Sequence, residues 1–338
     1  MNPTIKDIAQ RANVSYATVS RALNNKPFVK EATRRRVLSL AKELNYTPNA
    51  LARGLVKKET RTLGLIIPDI TNPFYPEVAQ GIQEGAGDSG FSVFLCNTNW
   101  NHDQELHYLN LLEEKRVDGI ILAPIENQVD VVEPHIRNRI PVVYLDKAPR
   151  KTRNSYVMID NVRGGFLATR HLIEQGYDTI GFIGAAEDSL TIDDRLKGYR
   201  MAMEQNRLKV HDDFVRFGNY RQVTGYTIIQ SMIGSGRYPR AVFAENDLIA
   251  LGVMQGAREA GLKVPEDIAV IGFDDIPFAS FPEVQLSTIR QPKHQMGRTA
   301  VEIILQQIKA GNDGPTAASV KRVLLEPELV VRRSSRSR

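Results

Sequence analysis

The fold of the N-terminal part of this chain is decided by residues 14–24, Val-Ser-Tyr-Ala-Thr-Val-Ser-Arg-Ala-Leu-Asn. They predict a short helix that is capped by Ser15 and ends at about Leu23. Its inner face is apolar and consists of Val19, Ala22 and Leu23. Its outer face carries Tyr16, Ala17, Ser20 and Arg21. A helix with one apolar face needs neighbours to bury that face, so the flanking sequence must supply them.

The flanking sequence predicts a helix on each side of this stretch. Thr4 and Asp7 have the spacing of a capping box at the start of a first helix. A further helix, from about Lys30 to Leu44, has apolar residues at helical spacing, namely Val37, Leu40, Ala41 and Leu44. Three short helices with a tight turn before the second predict an all-α helix-turn-helix head in residues 1–46. The second helix of such a head enters the major groove of DNA.

Contacts with DNA follow from the chemistry of the head. Arg21 can form a bidentate pair with guanine, and Ala17 can touch a thymine methyl group. Together with Tyr16, these residues are the predicted base contacts. Phosphate contacts fix the position of a protein on DNA without reading the sequence. The predicted phosphate contacts are hydroxyl and amide side chains, namely Thr4, Ser15, Thr18, Ser20, Asn24 and Thr33.

Positive charge is concentrated in the same part of the chain. Residues 1–61 hold 13 Lys and Arg against 4 Asp and Glu, a net charge of +9. Because the whole chain has a net charge of +5, the remaining residues have a net charge of −4. A basic head on a mildly acidic body is typical of a nucleic-acid-binding module joined to a second domain.

Residues 47–60 predict a hinge helix and a linker. Thr47 is a suitable N-cap, Pro48 suits the first helical position, and Leu51 and Leu55 lie four residues apart on one face. Such a helix has only about two turns, and it is marginal in water unless something packs against it. In a dimer, two of these helices in the minor groove could insert leucines between base pairs and kink the duplex. The alternative is an unstructured linker.

Residues 61–331 alternate apolar runs with stretches of helical periodicity. Strands are predicted at residues 63–67, 91–96, 119–122, 142–145, 157–159, 180–183, 241–244 and 268–272. Helices are predicted at residues 76–88, 104–115, 164–175, 195–205 and 248–260. Strands that alternate with helices and are buried on both faces form parallel sheets. We therefore expect an α/β core of two lobes, with crossovers near Asp160 and Gln291, and a disordered basic tail at residues 332–338.

Polar side chains follow several of these strands, at the edge where parallel sheets bind ligands. Asp146, Glu245 and Asp274 come directly after apolar runs, and Asn72 follows the first one closely. Carboxylates and amides can hydrogen-bond neighbouring hydroxyls, and aromatic side chains can cover the faces of a ring. The set predicts a sugar site. Any single member could instead be a helix cap or a turn residue.

Three segments of the head, residues 4–9, 14–24 and 44–52, resemble the lactose/galactose repressor family. The resemblance implies a bacterial transcription repressor that binds double-stranded, near-palindromic operator DNA as a homodimer and kinks it with paired hinge leucines. It implies minor-groove contacts for Asn49, Ala52 and Leu55. Gly54 precedes the predicted wedge and weakens the hinge helix by roughly 1 kcal/mol relative to alanine. Folding of this hinge should therefore depend more strongly on DNA.

The core resembles the periplasmic-binding-protein-like effector domain of the same family, and in detail that of ribose repressors. The matching motifs are residues 72–75, 145–147, 194–198, 244–247, 272–274 and 289–292. The resemblance implies hydrogen bonds to a sugar effector from Asn72, Asp146, Arg195, Asn246, Asp274 and Gln291. It implies contacts with the sugar ring from Phe74, Tyr75, Tyr220 and Phe273. Lys147 and Tyr220 replace an arginine and a phenylalanine that are usual there, and either change could shift preference to another pentose or a hexose.

Other functional classes have less support. The chain has one cysteine, no signal-peptide pattern and no apolar run long enough to span a bilayer, so we expect a cytoplasmic, nucleoid-associated protein without membrane contact. We expect no cofactor, no metal and no enzymatic activity, because phosphate-loop, nucleophile and metal-ligand patterns are missing. Two alternatives remain open. The same repressor could sense a purine or a phosphorylated partner protein, although Asp69, Asp146 and Asp274 make the cleft too acidic for phosphate. The chain could also be a free sugar-binding transport protein.

Overall fold

A computed structural model describes residues 3–46, 59–125, 140–185, 189–313 and 319–336. Its contacts divide the chain into two units, residues 1–60 and residues 61–338. The predicted minor-groove residues Asn49, Ala52 and Leu55 lie outside the described residues.

The head contains the three predicted helices, α1 (Ile5–Ala12), α2 (Tyr16–Leu23) and α3 (Glu31–Glu43). Asn13 ends α1 in the left-handed region with a φ of 50° and so turns the chain sharply into α2. The helices enclose a small core of fully or nearly fully buried side chains: Ile8, Ala12, Val19, Ala22, Val37 and Ala41. The prediction of a helix-turn-helix with these inner faces is confirmed.

The second unit is a two-lobed α/β core, as predicted. The chain first enters lobe 1 with β1 (Thr62–Ile67), α4 (Phe74–Asp88), β2 (Ser92–Asn97), α5 (His102–Glu114), β3 (Gly119–Leu122), β4 (Val142–Leu145) and β5 (Ser155–Ile159). It then forms lobe 2 with α6 (Asn161–Glu174), β6 (Ile180–Gly184), α7 (Leu190–Gln205), β7 (Val215–Phe217), α8 (Gln222–Gly234), β8 (Ala241–Ala244), α9 (Asp247–Glu259), β9 (Ala269–Asp274) and β10 (Ser287–Arg290). It returns to lobe 1 with α10 (Lys293–Asp313) and β11 (Arg322–Leu325), and to lobe 2 with β12 (Glu328–Val330).

Each lobe is built on one six-stranded sheet. The strand order is β11-β5-β4-β3-β1-β2 in lobe 1 and β12-β10-β9-β8-β6-β7 in lobe 2. All neighbouring strands are parallel except β12, which pairs antiparallel with β10. Strands β3, β4, β6, β8 and β9 are buried along their whole length, which explains their continuous apolar sequences. The carboxyl ends of the central strands provide the edge at which such sheets bind ligands.

The chain passes between the lobes three times rather than twice. Two passages lie near Asp160 and Gln291, as expected, and the third lies between Leu325 and Glu328. The third passage joins two strands of four and three residues whose side chains are exposed or half-buried. Because neither strand contains a buried apolar run, the sequence pattern did not indicate them.

The prediction of a disordered tail is wrong for residues 332–336. Ser334 is 2% exposed and Ser335 is fully buried. Ser334 Oγ donates to the carbonyl oxygen of Val270 at 2.6 Å and accepts from the Ser287 amide at 2.8 Å. Arg332 forms an ion pair with Asp275 at 2.7 Å. Hydrogen bonds, not apolar contacts, therefore fix this Arg/Ser-rich segment to lobe 2, and its composition gave no sign of them.

Two pairs of helices, α6 with α7 and α4 with α10, pack closely at glycine residues and position residues beside the cleft between the lobes. A Cβ on Gly165 of α6 would lie 2.2 Å from the carbonyl oxygen of Arg195 on α7. A Cβ on Gly81 of α4 would lie 2.2 Å from the carbonyl oxygen of His294 on α10. Only glycine allows this approach, and the two contacts set the positions of Arg195 and of the first turn of α10.

Within the described ranges, none of the helices combines the length and the apolar composition that a bilayer crossing requires.

Candidate functional site

The exposed face of α2 presents the predicted base-contacting residues together. Tyr16 is 54% exposed, and Ala17 and Arg21 are also exposed, while Val19 and Ala22 point into the head. The Ser15 hydroxyl caps the helix, because it accepts from the Thr18 amide at 3.2 Å. The helix N-terminus and its outer face are therefore available to a groove of DNA.

The predicted phosphate contacts lie at the ends of the helices. Thr4, Ser15 and Asn24 are exposed, and Thr18, Ser20 and Thr33 are half-buried. Some also hold local structure: Thr4 Oγ1 donates to Asp7 at 2.8 Å, and Asn24 Nδ2 donates to the Ser20 carbonyl oxygen at 2.8 Å. The backbone amide of Thr4 also donates to Asp7 at 2.7 Å, and these hydrogen bonds lower the pKa of the Asp7 carboxyl.

A narrow cleft between the lobes brings together ten of the eleven predicted effector residues. They are Asn72, Phe74, Tyr75, Asp146 and Lys147 of lobe 1, and Arg195, Tyr220, Asn246, Asp274 and Gln291 of lobe 2. Three further residues line the cleft, namely Trp100, Thr191 and Glu245. Side chains fill most of it, and its free volume is about 30 Å³.

Three carboxylates are buried around this cleft. Asp146, Glu245 and Asp274 are 8%, 1% and 4% exposed. Burial raises the pKa of Glu245 to about 7 and that of Asp274 to about 6, while the Arg195 guanidinium opposes both increases. Burial also raises the pKa of Asp146. Glu245 therefore carries less negative charge near neutral pH than an exposed carboxylate would, and all three groups offer oxygen atoms for hydrogen bonds.

Arg195 is the central cation of the cleft. Its Nε donates to Asn161 at 2.9 Å, and one terminal nitrogen donates to the Glu245 carbonyl oxygen at 2.6 Å and lies 3.4 Å from the Glu245 carboxylate. Its guanidinium carbon lies 3.7 Å from the centroid of the Phe273 ring. Phe273, which was expected to contact the sugar ring, is the one predicted effector residue that does not line the cleft: it is fully buried and packs against Arg195.

Asp274 and Gln291 form the polar floor of the cleft. Gln291 Nε2 donates to an Asp274 carboxylate oxygen at 2.7 Å. Gln291 is 2% exposed, and its Oε1 has no hydrogen-bond partner among the residues that the structure describes. A buried acceptor of this kind is costly unless a donor reaches it. The cleft therefore offers a position for an O–H or N–H group of a ligand.

Lys293, at the start of α10, joins the two lobes beside this floor. Its ammonium donates to the carbonyl oxygens of Asp274 and Asp275 at 2.7 and 2.6 Å and lies 3.4 Å from the Glu77 carboxylate of lobe 1. Asp274 has a φ of 111° and Asp275 a φ of 51°. Strained backbone of this kind needs surrounding contacts to hold it. Lys293 supplies such a contact and connects the polar floor of the cleft to lobe 1.

A larger groove of about 400 Å³ lies on the outer side of lobe 2, beside β7 and α8. Its rim holds an exposed ion pair between Arg237 and Asp213 at 3.1 Å. The polar groups of the narrow cleft, in contrast, are buried and converge on one volume, which is typical of ligand sites.

The comparisons with known proteins fit both sites. A model of bacterial regulatory proteins of the lacI family matches residues 4–49. A model of periplasmic binding proteins and the sugar-binding domain of the LacI family matches residues 60–327. The chain belongs to the LacI family.

Individual proteins are similar to this chain over most of its length. The transcriptional repressor PurR of Aliivibrio salmonicida is 35% identical and covers 98% of both chains. Catabolite control protein A of Priestia megaterium is 38% identical over 90% of this chain and 92% of its own. A lac repressor dimer bound to operator and the anti-inducer ONPF has a TM-score of 0.89, with 27% identity over 100% of both chains. A LacI-family regulator from Enterococcus faecium with bound ribose has a TM-score of 0.72, with 27% identity over 81% of this chain and 98% of that chain. This chain is therefore a DNA-binding transcriptional repressor with an effector-binding domain, and not an enzyme.

The sequence did not point to Trp100 or Thr191. Glu245 was among the polar residues that follow buried strands, but it was not among the residues expected to contact the sugar. Trp100 follows β2 at the same edge of the sheet, and the apolar run that ends at Cys96 indicated that edge. Thr191 lies in the first turn of α7, four residues before Arg195 and on the same face.

Proposed function

We propose that this repressor binds operator DNA as a homodimer and that a small sugar, ribose or another monosaccharide, controls its operator affinity. The observation that carries the sugar proposal is the supply of acceptors in the cleft. Carboxylates approach it from both lobes, and Gln291 Oε1 is buried without a partner within the described residues. Several acceptors on different sides call for a ligand with several donors that point in different directions.

A monosaccharide meets this requirement better than a purine does. Its hydroxyls surround the ring and can each donate one hydrogen bond, and its C–H faces can pack on aromatic side chains such as Tyr220 and Phe74. A purine base has fewer N–H donors, and they all lie in one plane. The similarity to PurR repressors nevertheless makes a purine the second candidate. The ribose-bound relative supports the sugar.

A phosphorylated partner protein fits the cleft less well. Asp146, Glu245 and Asp274 surround the space that a phosphate would enter, and Arg195 is already held by Asn161 and by Glu245. Repulsion between phosphate and buried carboxylates would oppose binding. The match of the head to the regulatory family model disfavours the transport-protein alternative.

In the proposed mechanism the effector changes the relation of the two lobes. It contacts Asp146 of lobe 1 and Asp274 of lobe 2, so it binds one arrangement of the lobes more tightly than another. In a dimer this rearrangement changes the distance between the two hinge segments and so the affinity for an operator. Allosteric coupling of this kind is typically 1–3 kcal/mol, or about 5–150-fold in affinity.

Calorimetry on the full-length chain tests the proposal. The protein is titrated with D-ribose, then with other aldopentoses and aldohexoses, and finally with hypoxanthine and guanine. We expect one monosaccharide to bind with micromolar affinity and the purines to give no heat. We expect Asp274→Asn to abolish binding, because the amide places a donor where the sugar needs an acceptor. Asp103→Asn, a change on the exposed first turn of α5, should leave binding intact.

The outcomes separate the candidates. Binding of a purine without binding of any sugar would overturn the sugar proposal and leave the repressor assignment in place. Binding of a sugar that Asp274→Asn does not weaken would overturn the assignment of the site.

A further inference from the structure

Trp100 lies on a short loop whose backbone is fixed at both ends. The Trp100 amide donates to the carbonyl oxygen of Pro68 at 3.1 Å, and the Thr98 amide donates to that of Ile67 at 3.0 Å. The Asn101 side chain caps α5, because it accepts from the Gln104 amide at 3.0 Å. Trp100 itself has a φ of 59°, in the left-handed region that bulky residues rarely adopt. The loop thus holds the indole in one direction at some conformational cost, which is common at functional sites.

The Trp100 indole of lobe 1 contacts Tyr220 of lobe 2. The Trp100 and Tyr220 rings stack with centroids 4.0 Å apart and planes 4° from parallel. The Lys147 ammonium lies 5.0 Å from the centroid of Trp100 and 5.8 Å from that of Tyr220, within reach of a cation–π interaction with both. One aromatic residue from each lobe and one cation therefore connect the lobes across the cleft.

This contact leaves too little room for a ring. The free volume of about 30 Å³ is far below the roughly 300–1,000 Å³ that is typical of small-molecule sites. Tyr220 also faces the same space as the acceptors of the effector site. A monosaccharide cannot reach Tyr220 and these acceptors while the indole covers the tyrosine ring.

We propose that Trp100 is an additional specificity-determining residue of the effector site, which competes with the effector for Tyr220. This inference rests on the proposed function, since it concerns the same cleft. The Trp100–Tyr220 stack and a bound ring exclude each other, so the effector must separate the two rings. Effectors that cannot replace the stacking contact are thereby rejected.

The sequence provides a direct probe of this competition, because Trp100 is the single tryptophan of the chain. Its fluorescence reports on the stack without any label. We expect the monosaccharide identified by calorimetry to increase the quenching of Trp100 by acrylamide, with the same dissociation constant as the heat signal. Unchanged or decreased quenching at saturating sugar would overturn the proposal.

The affinity for the effector provides a second test, because the proposal predicts that it rises when Trp100 is removed. Aromatic stacking contributes a factor of about 2–12 in an equilibrium constant. Trp100→Ala should therefore increase effector affinity by about that factor, since the competitor is removed. Trp100→Phe keeps an aromatic ring and should stay within about twofold of the wild type. An unchanged or lower affinity of Trp100→Ala would contradict competition.

A test without sugar separates this proposal from the proposed function. Tyr220→Ala should increase acrylamide quenching of Trp100 in protein that has no added ligand, because the stacked partner is gone. Tyr226→Ala, a matched change on α8 outside the cleft lining, should leave the quenching unchanged. If no monosaccharide binds but Tyr220→Ala exposes Trp100, the sugar assignment fails and the stack stands. If Tyr220→Ala leaves Trp100 equally protected, the stack is refuted.

Discussion

Glu245 makes the stability of the core depend on pH, and Glu245→Gln should reveal how much. Burial raises the pKa of Glu245 from an ordinary 4.5 to about 7. Below pH 4.5 the folded and unfolded chains are both protonated at this position, so the group has no effect. Between pH 4.5 and 7 the unfolded state ionises while the folded state keeps its proton, and stability therefore falls as the pH rises. Above pH 7 the loss is constant.

The size of this effect follows from the two pKa values. One pKa unit corresponds to about 1.4 kcal/mol, so ionised Glu245 costs about 3 kcal/mol above pH 7 and less than about 1 kcal/mol at pH 5. Gln cannot ionise, and its amide oxygen can still accept from Asn246 Nδ2, which lies 3.0 Å from the carboxylate. Arg195 keeps its hydrogen bonds to Asn161 and to the main chain. The variant therefore removes the charge with little change in packing.

Urea unfolding of both proteins at pH 5 and pH 8, followed by circular dichroism, measures the difference. We expect Glu245→Gln to be more stable than the wild type by about 3 kcal/mol at pH 8 and to gain less than about 1 kcal/mol at pH 5. Glu302→Gln, an exposed change on α10, should change the stability little at either pH. An equal effect of Glu245→Gln at both pH values, or a loss of stability at pH 8, would refute the argument that burial dominates the Arg195 interaction.

Three other substitutions test other parts of the account. Arg21→Ala should weaken binding to operator DNA by about 1–3 kcal/mol more than binding to random DNA, as measured by fluorescence anisotropy, and an equal loss on both would contradict base reading. Lys293→Met should lower the free energy of unfolding by about 2–3 kcal/mol, because three buried or half-buried oxygen groups lose a charged partner, whereas the exposed Lys309→Met should not. Ser334→Ala should cost about 1–3 kcal/mol in urea unfolding, and wild-type stability would mean that the C-terminal segment does not hold lobe 2.

The sequence was sufficient where local chemistry and periodicity determine structure. The turn at Asn13, the cap at Ser15 and the apolar face that contains Val19 made α2 predictable to within a residue. The buried parallel strands were predictable because a strand with two buried faces is apolar throughout. The lobes followed from the number of such strands.

The parts that could not be predicted depend on tertiary contacts. Strands β11 and β12 are short and mostly exposed, and only their pairing with β5 and β10 defines them. Ser334 is buried by hydrogen bonds that no composition rule indicates. Helix α8 has an apolar sequence without a clear polar face, so its periodicity does not indicate a helix.

The effector cleft also contains residues that the sequence predicts and residues whose roles depend on tertiary contacts. Strand ends identified Asp146 and Asp274, because parallel strands bring their carboxyl ends to one edge. The position of Phe273 under Arg195 could not be inferred, since neighbouring residues of a strand point to opposite faces and the partner comes from another element. Trp100 belongs to the site because its loop reaches Tyr220 of the other lobe.

A sugar in this cleft should control operator binding. The most direct test uses an operator selected in vitro from random duplexes by the full-length protein, labelled for fluorescence anisotropy. Its dissociation constant is measured with and without the monosaccharide identified by calorimetry, for the wild type and for Asp274→Asn. We predict a change of about 5–150-fold for the wild type and no change for the variant. An operator affinity that saturating sugar leaves unchanged in the wild type would show that the sugar does not control this repressor.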